Sequence, residues 1–190
     1  MKIAIDIDNT ICNTSNFYGP LAKQYDREVL HKNSNIDYDK ILPRSPEWTQ
    51  QELSYFVESI FNKESINIPI KEDASLYINK LKELGYIITF ITYRGMKDDD
   101  FTDLIIPEYL KKNNIPYDNI ITKTKDKYKY LDDCDYFIDD GITNCEEAIK
   151  YSNSKVIMMS SNTNKEYYND KIIKVNNWQE IYEYIKSEVD

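Results

Sequence analysis

Residues 2–12 read KIAIDIDNTIC, an apolar run broken by two aspartates, Asp6 and Asp8, one residue apart. An ionised carboxylate in a low-dielectric core is costly unless it is paired or well hydrogen-bonded. Two plain explanations exist: the strand stops at Ile5 with its acids in water, or Asp8-Asn9-Thr10 caps a following helix. Matching polar clusters at the ends of other strands would favour a functional explanation over both.

Two segments after the first strand, SNFYGPLAKQYDREVL (15–30) and SPEWTQQELSYFVESIF (45–61), carry apolar residues at helical spacing. They flank the polar, proline-bearing stretch HKNSNIDYDKILPR (31–44), and together they predict a helical insertion over residues 14–68. The pattern then changes to alternating helices and strands. A helix in KEDASLYINKLKEL closes at Gly85, and the strand YIITFIT follows. Next come a helix over 98–113, the strand NIIT, a helical turn from about Lys125 and the strand YFID. The chain ends with a helix near 144–151, the strands KVIMM and KIIKV, and an amphipathic helix over 178–185. Continuous apolar strands alternating with helices predict an α/β fold, a Rossmann-like parallel sheet with helices on both faces and a small helical cap inserted after the first strand. The implied domains are a core of residues 1–13 and 69–190 and a cap of residues 14–68.

In such sheets ligands sit beyond the carboxyl ends of the strands. One strand ends in Asp6-Ile7-Asp8-Asn9-Thr10, another in Thr92-Tyr93-Arg94-Gly95 and a third in Asp139-Asp140-Gly141, so all three clusters should share one edge. Lys125 and Lys127, just upstream of YFID, reach the same edge. Converging carboxylates repel, and a hard divalent cation with oxygen ligands relieves them. Mg2+ suits a site built from Asp6, Asp140 and a backbone carbonyl, since it keeps positions for water and a phosphate oxygen. Asp6 can attack phosphorus to give an aspartyl-phosphate. Asp8 can protonate the leaving oxygen and then activate water. Thr92, the Tyr93 amide and a lysine can donate to the equatorial oxygens.

These motifs resemble the haloacid dehalogenase (HAD) superfamily. Asp6-Ile7-Asp8-Asn9-Thr10 matches its D-x-D-x-T motif, Thr92 its strand-end threonine and Asp139-Asp140 its acidic pair. The placement of the inserted helices and the segment FIDDGITNCEEA are most similar to the 5'(3')-deoxyribonucleotidase family. The resemblance implies Mg2+-dependent hydrolysis of phosphate monoesters, with Asp6 as nucleophile and Asp8 as acid/base. It also implies Asp140 as direct metal ligand, and Asp139 behind it orienting a water or the lysine; the candidate metal set is thus Asp6, Asp8, Asp139 and Asp140. Two features depart from the animal members. Tyr93-Arg94 follow Thr92 where those have small residues and a proline, which alters the expected substrate contacts. Thr124-Lys125-Asp126-Lys127 also offers two lysines, of which Lys127 is preferred because Asp126 can cap the helix before it.

Plainer readings hold elsewhere. Thr89, in mid-strand, reads as a buried structural residue. His31, the sole histidine, reads as a solvated loop residue. The run Lys97-Asp98-Asp99-Asp100 is explained by a helix dipole. Cys12 reads as a packing residue. Phe17, Tyr18 and Trp48 singly suit a cap core, yet collectively could stack a nucleobase.

At 190 residues, with 24 Lys+Arg against 33 Asp+Glu and a net charge of -9, the chain is long enough for one core with an insertion. Its charge argues against partners such as duplex nucleic acid or an anionic membrane. Neither a targeting segment nor a spanning run is visible, and the three scattered cysteines suit a reducing compartment, so a cytoplasmic protein is expected. The expected substrate is a small phosphorylated molecule, favoured as a nucleoside monophosphate. Alternatives are a sugar-phosphate or polynucleotide-end phosphatase on the same core, or a non-catalytic nucleotide-binding protein. Oligomeric state is not legible.

Overall fold

The computed structural model describes residues 1–38, 40, 42–94 and 100–188. Gly95 and the stretch 97–99 of the acidic run lie outside the described residues. Six strands, β1 (Lys2–Ile5), β2 (Ile87–Ile91), β3 (Asn119–Ile121), β4 (Tyr136–Asp139), β5 (Lys155–Met159) and β6 (Ile172–Val175), form one sheet in the order β3-β2-β1-β4-β5-β6. Every pairing is parallel, with Ile3 of β1 opposite Ile88 on one side and Tyr136 on the other.

Side-chain alternation divides the sheet into two buried faces. Ile3, Ile5, Ile88, Phe90, Ile138 and Ile157 pack with Ile78 and Leu81 of α4 (Ala74–Glu83), Ile106 and Leu110 of α5 (Asp100–Lys112), and Trp178 and Ile181 of α7 (Trp178–Ser187). Ala4, Ile91, Phe137, Val156 and Met158 face the other way, onto Cys145 and Ala148 of α6 (Ile142–Tyr151). Central strands covered on both sides explain why they are apolar throughout. Gly85 follows α4 at φ +86, a conformation that an L side chain strains to adopt.

Between β1 and β2 stand α1 (Thr14–Glu28) and α2 (Gln50–Phe56), the latter continued by a π-helical turn (Val57–Phe61), α3 (Asn62–Glu64) and a 3-10 turn (Ser65–Asn67). Thr49 starts α2 with a capping box. Its hydroxyl accepts from the Glu52 N–H at 3.2 Å, and Glu52 accepts from the Thr49 N–H at 2.7 Å. Ala22, Tyr25, Ile36, Trp48 and Phe56 make a separate apolar cluster within this segment, while Tyr18 at the start of α1 belongs to the main core.

Three details differ from expectation. Thr89 is only half-buried and accepts a long 3.4 Å bond from Asn119. The turn holding Lys127 is a 3-10 turn, Lys127–Tyr130. Asp126 does not cap it, because its carboxylate takes Lys129 at 2.5 Å. His31 is exposed, and the three cysteines are free thiols. Among the described residues no helix is long and apolar enough to cross a membrane.

Candidate active site

The carboxyl end of β1 runs directly into the acids. Asp6 leaves the strand with its N–H still on the β4 carbonyl of Ile138 at 2.9 Å, so its position is tied to the sheet. Asn9 then turns the chain at φ 59, a left-handed conformation that asparagine tolerates. Its side-chain amide donates to the Ser15 hydroxyl at 2.9 Å and its carbonyl accepts from the Ser15 N–H at 3.0 Å, which fastens the turn to α1.

The ends of β1 and β4 meet around one point. Asp6, Asp139 and Asp140 each present an oxygen within 4.8 Å of the others, and all three residues are buried. Lys127 sits among them, only 4% exposed, donating to Asp6 and, at 2.7 Å, to Asp139. Thr10 donates to the second oxygen of Asp6 at 3.3 Å. The other Asp139 oxygen accepts from the Gly141 N–H at 2.7 Å, and Asn144 donates to both Asp139 oxygens at 3.1 and 3.0 Å. Asp139 is therefore saturated with donors. Asp140 is not: its Oδ2 is buried without a hydrogen-bond partner.

Burial pushes the Asp6 pKa up, Lys127 pulls it back, and the charges of Asp139 and Asp8 raise it again, leaving it at about 7. Burial and the neighbouring charges of Asp139 and Asp6 push Asp140 well above the usual carboxylate range. Burial would lower Lys127, but Asp139 and Asp6 outweigh it and keep the ammonium charged. The site thus holds two protonatable carboxylates, Asp6 and Asp140, with Asp139 beside the fixed cation of Lys127, an environment that a divalent cation would relieve. The orphaned Asp140 oxygen and the all-oxygen donor set fit a hard ion.

Asp8 occupies a neighbouring but separate position. Arg94 grips both its oxygens, Nε to Oδ2 at 2.8 Å and Nη2 to Oδ1 at 2.5 Å, and the Thr14 hydroxyl donates to Oδ1 at 2.6 Å. Burial works to raise its pKa, and the Arg94 charge and bonds overcome this and hold it below the usual value. The Asp8 carboxylate is therefore an ion-pair partner and does not join the acidic trio, contrary to its place in the expected metal set. Arg94, expected to face substrate, is turned onto Asp8 for the same reason.

The remaining candidates fall into two groups. Thr92 is fully buried at the end of β2 and accepts from the Arg94 N–H at 3.2 Å, and Tyr93 beside it is 63% exposed. Lys125 is exposed, and Lys127 is the lysine brought to the acids. Trp48 packs between Tyr25 and Phe56 in the separate cluster and donates its indole N–H to Asp26 at 2.7 Å. Tyr18 is fully buried, stacked on Phe61 at 4.4 Å with its hydroxyl on the Phe61 carbonyl. Both rings are buried against other aromatics, and neither is presented as the expected base platform. Large aromatics are what a small insertion uses to make a core of its own. Phe17 remains half-buried. Cys12 is buried, and burial raises its thiol pKa to about 11, in keeping with a packing role.

Sequence reasoning passed over Thr14, Asn144 and Asn164, the last of which holds the Asp140 carbonyl at 2.8 Å. Asn144 alone left a trace, as the third residue of the helix that begins after Asp139-Asp140-Gly141.

Over residues 1–189 the chain matches the family described as 5' nucleotidase, deoxy (pyrimidine), cytosolic type C protein, and it belongs to that family. A nucleotidase of Clostridium acetobutylicum is 28% identical over 185 residues, 96% of this chain and 92% of the relative. A crystal structure of a predicted phosphatase from Clostridium acetobutylicum superposes with a TM-score of 0.69 at 14% identity, covering 98% of each chain. A HAD-superfamily hydrolase from Ehrlichia chaffeensis gives 0.58 at 15%, covering 100% of this chain and 97% of that one. The structures share the fold, and the family match supplies the class: a phosphatase of the 5' nucleotidase kind.

Proposed function

We propose that this phosphatase hydrolyses nucleoside monophosphates, with Mg2+ as cofactor and an aspartyl-phosphate on Asp6 as intermediate, in the cytoplasm. The observation that carries the chemistry is the meeting of Asp6, Asp139, Asp140 and Lys127 at the carboxyl edge of β1 and β4, with one Asp140 oxygen left unpartnered. Asp6 and Asp140 would hold the cation, which when bound supplies charge neutralisation to the phosphate.

Asp6 is the nucleophile. Its two oxygens are oriented by Lys127 and Thr10, so one face of the carboxylate is fixed before substrate arrives. Lys127, already desolvated and charged, is placed to donate to a phosphoryl oxygen as negative charge spreads in the transition state. Thr92 and the Tyr93 amide border the same edge. Asp139 holds Lys127 and is itself held by Asn144 and the Gly141 amide, which makes it a positioning residue.

Asp8 acts as acid and then base. In the arrangement described it is ionised under Arg94, so leaving-group protonation requires the guanidinium to move off. A dianionic phosphate entering beside Thr92 competes for Arg94, and that competition is what we infer frees Asp8. Residues 14–68 form the cap over this edge, their own cluster around Tyr25 and Trp48 giving the unit its shape. With Trp48 and Tyr18 packed inside, Tyr93 is the exposed aromatic next to the site and the ring proposed to meet a nucleobase, with half-buried Phe17 as second contact.

A screen of deoxynucleoside monophosphates, sugar phosphates and a small aryl phosphate, with and without Mg2+, tests the reading. Expected is metal-dependent phosphate release, fastest with nucleotides. Tyr93→Ala should weaken nucleotide kcat/KM by about 1–3 kcal/mol, more than it affects the aryl phosphate. Sugar phosphates turned over faster than every nucleotide would overturn the substrate assignment.

A further inference from the structure

Beside the acidic trio opens a cavity of about 580 Å3, within the size range of small-ligand sites. Its lining comes from the turn after β1, the start of α1, the residue preceding α4 by three, and the loops after β5 and β6. Among the described residues it comprises five asparagines, three serines and three lysines, and no acidic or aromatic side chain. In a chain of net charge -9 that is a local reversal of sign.

The three lysines differ. Lys174 is spent on structure, donating to the carbonyls of Asn164, Lys165 and Tyr167 at 2.5, 2.9 and 3.1 Å, and so it pins the loop that brings Lys165 to the cavity. Lys71 and Lys165 have no side-chain hydrogen bond or ion pair among the described residues. Lys71 is half-buried; burial lowers its pKa, and the charge of Asp140 raises it in part. Ser161 ties the cavity to the acidic trio, since it lines the wall and its hydroxyl helps hold down the Asp140 pKa.

Among the described residues Lys165 has no anionic partner, and Lys71 has only the charge of Asp140, which burial itself drives towards the protonated form. A flat base would find no ring there, and a neutral sugar would leave both charges uncompensated. We propose that this cavity is a second anion subsite, taking a phosphoryl group at the far end of the leaving alcohol while the first ester lies at Asp6. A phosphate ester that carries a second phosphoryl group is then bound more tightly than the corresponding monophosphate, which stays a substrate. This rests on the phosphatase reading above and deepens it. Hydrolysis consumes one water, cleaves the ester bond at Asp6 to give inorganic phosphate, and leaves the second ester on the alcohol.

The test is calorimetric binding to the full chain without divalent cation, so that it does not depend on turnover. Two pairs of probes separate the two sources of a second phosphate: a deoxynucleoside 3',5'-bisphosphate against its 5'-monophosphate, and a hexose 1,6-bisphosphate against the 6-phosphate. In at least one pair the bisphosphate should bind about tenfold more tightly, as expected for charge-assisted contacts. The double variant Lys71→Gln/Lys165→Gln should reduce that preference to within about threefold, and Lys71→Arg should keep it. If the double variant fails to fold, exposed Lys165→Gln alone should still cut the preference by about threefold. Equal binding within both pairs, a preference that survives the double variant, or an equal fall in mono- and bisphosphate affinity would overturn the subsite. Failure of the phosphatase reading shows differently, as absence of metal-dependent phosphate release from any ester, and leaves the binding comparison still decisive.

Discussion

Removing Arg94 should destabilise the protein far more than a surface charge would, and the loss should shrink when Asp8 goes with it. The Arg94 and Asp8 side chains are 7% and 11% exposed, and the guanidinium meets both carboxylate oxygens. Breaking such a buried pair from one side leaves a desolvated charge and costs about 3–5 kcal/mol. For a domain of this length each kcal/mol moves Tm by about 2–4 °C, so Arg94→Met should lower it by about 6–20 °C. Asp8→Asn should fall in the same range, because the orphan is then the guanidinium. The double variant Asp8→Asn/Arg94→Met removes both charges and should lose less than either single variant.

The pH dependence follows from the depressed pKa of Asp8. A carboxylate whose folded pKa lies below its unfolded value contributes stability that is present above the unfolded value and lost as pH falls through the folded one. The difference between parent and Arg94→Met, read by urea unfolding, should therefore be full at alkaline pH and shrink as pH falls through the Asp8 pKa of the variant, which burial without Arg94 raises above the unfolded value. A loss of about 1 kcal/mol or less in Arg94→Met, the size of a solvated pair, would refute the reasoning. So would strictly additive effects in the double variant.

Asp6→Asn should leave a folded protein without multiple turnover, checked by circular dichroism and phosphate release, because an amide is not a competent nucleophile. Mg2+ should raise Tm more at pH 8 than at pH 5.5: Asp6, at about 7, and Asp140, well above its usual value, hold protons at the lower pH that a cation must displace. Gly141→Ala should depress kcat with little change in fold, since an added Cβ would lie 2.9 Å from the Asn144 amide and 3.0 Å from Asp139, forcing apart the contact that positions Lys127. Trp48→Ala should cost about 3–5 kcal/mol in unfolding as a core truncation, and a selective loss of nucleotide affinity without loss of stability would restore it as a base platform.

Much of the sheet was legible because parallel strands buried on both faces must be apolar throughout, and KVIMM, YFID and YIITFIT stand out between helical periodicities. The edge was legible for a related reason: a carboxylate closing such a strand is conspicuous. Asp6, Asp139 and Asp140 therefore pointed to one another across more than a hundred residues, and the sheet order, with β1 beside β4, brings them together. Lys127 shows a weaker kind of legibility. The sequence favours it over Lys125 only through a helix cap by Asp126, whereas Asp126 pairs with Lys129 and the 3-10 turn delivers Lys127 to the acids.

Partner choice among charges is a different problem from placement, and sequence pattern does not encode it. Asp6 and Asp8 are two residues apart on the same strand end, yet one faces Lys127 and the other Arg94. β1 ends at Ile5, so Asp6 and Asp8 both lie past the pleat, where the simple alternation of a strand no longer sets which way each side chain points. The consequence is chemical. Asp6 is left in a desolvated setting where its pKa is near 7, while Asp8 is kept ionised by a bidentate cation. An acid/base role for Asp8 therefore depends on where Arg94 goes when substrate binds. Arg94 is attached to β2 through Thr92, at the edge where the proposed mechanism brings in the phosphate, so the group that silences Asp8 is also the one the substrate would meet. If Arg94 does transfer to phosphate, the Asp8 pKa must rise as it leaves, and protonation of the leaving group becomes available only after the ester is seated.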